Sequence, residues 1–184
     1  MFMKRKSSSN LFAKECILTA LIQLVEKKPF SQISISEIAE RAGVSRMTYY
    51  RNYTSKEDIL LLHTQELIQA YDNDLKSMNP PNPFGSYKNV LHCFYYFEKW
   101  ELFLSCLIKA GMNSHLLDAL TDYLIKTHYQ NSSDRELYYS LRAYAGSLYS
   151  MYIAWLQQSP RETPEMMADI ILKLYDKSLF SKFR

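Results

Sequence analysis

Apolar side chains recur three and four positions apart along nearly the whole 184-residue chain, the spacing that gathers them on one side of an α-helix. In residues 11–27 the stripe is Ala13, Ile17, Ala20, Leu21 and Leu24, and it stops before Pro29. Ser34 and Glu37 then stand at the spacing of a capping box, with Ile35, Ile38 and Ala39 giving an apolar face to a short helix that ends near Ala42. Gly43 supplies a left-handed residue to close that helix, Val44 fits the angle between two helices, and Ser45 is suited to cap the next, over residues 46–53. Thr54 or Ser55 starts a longer helix over residues 56–76, in which Lys56, Glu57 and Asp58 precede an apolar run from Ile59 to Leu62. Pro80, Pro81 and Pro83 make residues 78–86 a linker. Beyond it the pattern predicts helices over residues 87–97, 100–110, 114–129, 134–158 and 163–180, with breaks at Gly111, at 131–134 and at 159–164. No segment reads as a strand pair, so the expected fold class is all-α.

Two short helices joined by a Gly turn form the pattern of a helix-turn-helix, whose second helix lies in the DNA major groove with its N-terminal residues at base edges. Arg46, Met47 and Thr48 occupy that end. Arg46 suits a bidentate pair to guanine, and Met47 and Thr48 offer methyl groups to thymine. Tyr49 and Tyr53 read as core. The expected organisation is a basic, disordered tail at 1–9, a DNA-binding domain at 10–55, a connecting helix at 56–78 and a helical effector-binding and dimerisation domain at 87–184. The tail reads as a solvated segment, with an arm that reaches DNA as the other reading.

Composition agrees with this picture and narrows it. Only 4 Gly and 6 Pro punctuate the chain. Net charge is +3, but residues 1–60 hold ten Lys or Arg against six Asp or Glu, whereas residues 61–184 hold twelve against thirteen, so the basic excess lies at the N-terminal end. Three cysteines, Cys16, Cys93 and Cys106, each on an expected helix, suit reduced thiols rather than a disulfide framework. No apolar run reaches the roughly 18 residues of a membrane span, and Lys4, Arg5 and Lys6 lead into Ser residues rather than a signal-peptide core, so a cytoplasmic protein is expected. His63, His92, His115 and His128 are scattered, without a metal-protease, paired-cysteine or nucleophile-elbow motif. No enzyme, metal or cofactor is expected.

The stretch from Ala39 to Leu60, A-x-x-A-G-V-S-x-x-T-Y-Y-x-x-Y-x-S-K-E-D-x-L, resembles the N-terminal domain of the tetracycline-repressor (TetR) family of bacterial transcriptional regulators. The likeness covers roughly residues 10–62. Tyr53 stands where Phe is usual and Tyr49 where an aliphatic or Phe is commoner, and both keep a large apolar body. The resemblance adds Ser34, Ser36, Ser45, Tyr50, Asn52 and Lys56 to the DNA-contacting set, Tyr50 and Lys56 as phosphate clamps. It implies a dimer on palindromic double-stranded DNA, with the small-residue stripe Ala143, Gly146, Ser147, Ser150 and Ala154, beside Met167, Ile170, Ile171 and Leu174, as a four-helix interface; an intramolecular core seam is the other reading of that stripe. It also implies a small apolar or aromatic effector, for which Phe94, Phe97, Trp100, Phe103, Tyr123 and Tyr144 are the candidate contacts. The C-terminal helices are loosely similar to a subgroup that includes regulators of dihydroxyacetone kinase genes. A regulator of the coactivator type, governed by a protein bound to its C-terminal surface, is the alternative.

Overall fold

A computed structural model of the protein describes residues 2–78, 80, 83–130 and 133–175, with the side chains of residues 2–8 left aside. All regular structure among them is helical: α1 (Phe2–Val25), a 3-10 turn (Phe30–Gln32), α2 (Ile35–Arg41), α3 (Arg46–Asn52), α4 (Lys56–Ser77), α5 (Tyr87–Glu98), α6 (Glu101–Lys109), α7 (Ser114–His128), α8 (Arg135–Leu156) and α9 (Pro164–Leu174). The expected helices recur with their ends shifted by a residue or two, save for α1 and α9. α1 begins at Phe2, within the stretch expected as a tail; MFMKRKSSS contains neither Pro nor Gly, so nothing in it breaks a helix. The expected end of the last helix at residue 180 lies outside the described residues.

The chain divides into two compact units. The first takes the described residues up to Thr64 together with Leu102–Asn113; the second takes Gln65–Glu101 and the described residues from Ser114 on. This differs from the expected boundary at 55, and it moves most of α6 out of the C-terminal domain. The physical reason is the apolar density of α6. Phe103, Leu104, Cys106 and Leu107 are all buried, the Phe103 ring lies 6.4 Å from that of His63, and Lys109 pairs with Glu26 at 2.7 Å.

In the first unit α1, α2 and α3 pack on one another. The α1 stripe read from the sequence, Ala13, Ile17, Ala20, Leu21 and Leu24, is buried throughout, against a core that includes Ile38, Ala39, Tyr49, Tyr53, Ile59 and Leu60. In the second unit α7 packs on α8 and α5 on α9. Its core mixes aliphatic and aromatic side chains: Phe94, Phe97, Tyr144, Tyr152 and Trp155 are buried, with the Phe94 and Trp155 rings edge to face at 5.6 Å. Among the described residues no helix is long and apolar enough to cross a membrane.

Candidate nucleic-acid interface

The site is assembled from three short-range devices that the sequence encodes. At the start of α2, the Ser34 amide donates to Glu37 Oε2 at 2.9 Å while the Glu37 amide donates to Ser34 Oγ at 3.3 Å, a complete capping box. Lys28 Nζ donates to Glu37 Oε1 at 2.5 Å, and this bond, with those from Ser34, lowers the Glu37 carboxyl to about 2. At the other end, Gly43 adopts φ +65°, its amide donating to Glu40 O at 3.1 Å and that of Val44 to Ala39 O at 3.0 Å. These two bonds are a Schellman closure, which requires the left-handed residue. Ser45 Oγ then accepts from the Thr48 amide at 3.1 Å and starts α3.

Burial sorts the candidate contacts. Tyr49 and Tyr53 turn inward, and the Tyr53 hydroxyl meets His63 Nε2 at 2.8 Å. Ser34 and Ser45 serve as caps, Thr48 Oγ1 pairs with Ser45 Oγ at 3.0 Å, and Asn52 Nδ2 donates to Thr48 O at 2.9 Å, back along its own helix. Exposed to solvent are Arg46, Met47 at 74%, Tyr50 at 50%, and Ser36 on α2. Arg51 is exposed as well, a cation that sequence reasoning missed. The signal was present: positions 46, 47, 50 and 51 are one, four and five apart, which a helix gathers on one face.

Lys56 departs from expectation. Its ammonium donates to the carbonyls of Phe30 at 2.6 Å, Ile33 at 2.9 Å and Ser31 at 3.3 Å, and it lies 4.6 Å from the centre of the Phe30 ring. An ammonium has three donors, and all three are spent inside the unit. A phosphate clamp at Lys56 would have to release one of them. What the side chain does here is hold the 3-10 turn that leads into α2.

Two short helices across a left-handed glycine, with cations and a phenol on the outward face of the second, are the features of a DNA-reading head, and residues 17–62 match the bacterial regulatory proteins of the tetR family. That match is confined to a quarter of the chain. It is 35% identical over 83 residues to the HTH-type transcriptional regulator EthR of Mycolicibacterium smegmatis, over 43% of this chain and 38% of that one. It is 32% identical over 76 residues to the uncharacterized HTH-type transcriptional regulator YvkB of Bacillus subtilis, over 41% of this chain and 38% of the other. The chain thus spans less than two fifths of the length of these relatives. The likeness in fold extends further. Lin0861 from Listeria innocua superposes with a TM-score of 0.74 at 16% identity over 89% of both chains, and the dihydroxyacetone kinase operon activator DhaS with a TM-score of 0.58 at 19% identity over 93% of this chain and 96% of that one.

The candidate effector contacts do not gather at one place. Phe94 and Phe97 line a small apolar space of about 30 Å³ in the second unit; Tyr123 and Tyr144 line another of about 20 Å³, and Cys93, Leu120 and Leu148 border both. Each has room for a water or two. Trp100 borders neither space and is 40% exposed, and Phe103 belongs to the core of the first unit. The candidate dimer residues divide similarly. Ala143, Ser150, Ala154, Ile170 and Leu174 are exposed, Gly146 and Ser147 half-buried. Met167 and Ile171 are buried within their own unit, so they are core rather than interface: on α9 they fall on the inward side of a helix whose outward side carries Met166, Ile170 and Leu174.

Proposed function

We propose that the chain is a transcriptional regulator that binds a palindromic operator as a homodimer in the cytoplasm, acts as a repressor, and is released by a small apolar or aromatic effector. The observation that carries this reading is the outward face of α3, where Arg46, Met47, Tyr50 and Arg51 are exposed on a helix started by the Ser45 cap. Such a face fits the major groove. One head reads only a few base pairs, so specificity calls for two heads on a two-fold site. The exposed stripe of Ala143, Ser150, Ala154, Ile170 and Leu174 supports self-association, because small residues on α8 permit close approach and the larger ones on α9 add apolar area. The effector reading rests on the two apolar spaces of the second unit. Arg46→Ala should weaken operator binding by about 1–3 kcal/mol and relax preference at a single base pair of each half-site, read by titrating a set of singly substituted operators. Uniform weakening across all of them would assign Arg46 to the phosphate backbone instead.

A second reading is supported by the small size of those spaces and by the exposure of Tyr87, Tyr95 and Trp100 on the second unit. In it, a protein partner bound at that surface governs the regulator. Trp100→Ser separates the two: it leaves a small-molecule response intact in the first reading and abolishes regulation in the second.

A further inference from the structure

Tyr152 stands near the C-terminal end of α8 with a relative exposure of 6%, its ring held at 6.2 Å from Phe94, 6.0 Å from Phe97 and 5.6 Å from Trp155. It lines the larger of the two apolar spaces, and its hydroxyl has no hydrogen-bond partner among the described residues. A buried hydroxyl without a partner is a standing cost to the fold, and one on a residue that borders an apolar space, as Tyr152 does and Tyr49 does not, can be relieved by an acceptor placed there. A water in that space would find few further partners, because the surrounding surface is formed mostly by Phe94, Phe97, Leu116, Leu148 and other apolar side chains. None of the residues that line either space carries a charge. A carboxylate or phosphate placed there would lose its hydration with no cation in the lining to pair with it.

The two spaces are small as they stand, but the side chains of Leu120 and Leu148, with Cys93, are common to both. Rotation of those two leucines would join them into one slot running from Tyr152 towards Tyr123 and Tyr144. From this geometry we infer that the second unit takes a neutral, mostly hydrocarbon molecule with a single hydrogen-bond acceptor, which meets the Tyr152 hydroxyl. The inference rests on the effector reading above and gives that effector its chemical class. Tyr152 is then the residue that sets specificity. Because Leu120 and Leu148 must move to admit the molecule, binding favours a conformation other than the closed one, which is the requirement for a ligand to shift an equilibrium.

The test is calorimetric binding of three probes to the full chain without DNA: acetophenone, which has a carbonyl acceptor; ethylbenzene, of similar shape without one; and benzoate, an anion. Acetophenone should bind roughly three- to tenfold more tightly than ethylbenzene, the worth of one neutral hydrogen bond, and benzoate most weakly. Tyr152→Phe should make acetophenone and ethylbenzene equal, while itself unfolding at a higher temperature than the wild type. Leu120→Ala, which enlarges the slot, should tighten both neutral probes. Equal binding of acetophenone and ethylbenzene to the wild type, a preference that survives Tyr152→Phe, tightest binding of benzoate, or no binding to either the wild type or Leu120→Ala would each overturn the inference. DNA retention is measured separately on the unliganded chain. A chain that holds DNA and ignores the probes fails the ligand claim alone; one that binds the probes and holds no DNA fails the regulator reading.

Discussion

The hydroxyl of Tyr49 lies in the core of the first unit, fully buried and without a hydrogen-bond partner among the described residues. Burial there pushes the phenol up from its ordinary value, so it stays neutral and contributes only bulk. Tyr49→Phe should therefore stabilise the protein, by about 1 kcal/mol in chemical denaturation, with DNA affinity unchanged. A loss of stability would mean that the hydroxyl has a partner after all. Lys56 makes the opposite case. Its three carbonyl partners tie the turn before α2 to the start of α4. Lys56→Ala should lower stability by roughly 1–2 kcal/mol, given its partial exposure, and leave the salt dependence of DNA binding as it was. A drop of about 1 in the salt slope per subunit, without loss of stability, would restore the phosphate contact that the tetR-type motif implies. Residue types at a helix start say which groups can donate; they do not say which acceptors arrive first. That is why Lys56 read as a clamp, and why the burial of Tyr49, set by apolar periodicity, was legible in the sequence.

At the scale of elements, helix starts were legible where a cap gives them a local chemical cause. Ser34, Ser45, Ser86, Asp134 and Thr163 all cap a helix with their side chains, and Gly43 and Gly111 both take positive φ where helices close. What an element packs against was less legible. Periodicity marks the apolar side of α9 but treats Met166, Met167, Ile170 and Ile171 alike, although only Met167 and Ile171 face the core. The outward residues of α8 and α9 are the ones left for a second copy. Ala154 is exposed on α8, so Ala154→Arg should fold normally and yet be monomeric by light scattering, because a long charged side chain replaces a methyl in a close helix approach. Unchanged dimers would move the interface to another face.

For the whole molecule, the division into two units follows which core each helix joins. α4 contributes residues to both units, and α6, read from sequence as part of the C-terminal domain, places Phe103, Leu104, Cys106 and Leu107 in the first. A periodic apolar stripe carries no label for its partner, so this boundary and the placing of Trp100 and Phe103 could not be read from spacing. The reading head itself could be, because its caps, its glycine and its buried tyrosines lie within about thirty consecutive residues. The central claim is that this head recognises a two-fold DNA site, and it is tested most directly by incubating the purified chain with genomic fragments and sequencing those retained. The expected result is a shared palindromic motif whose half-sites lie about one helical turn apart, roughly 34–36 Å, or a small multiple of that, and whose retention is lost with Arg46→Ala. Retention without any shared motif, unaffected by Arg46→Ala, would contradict it.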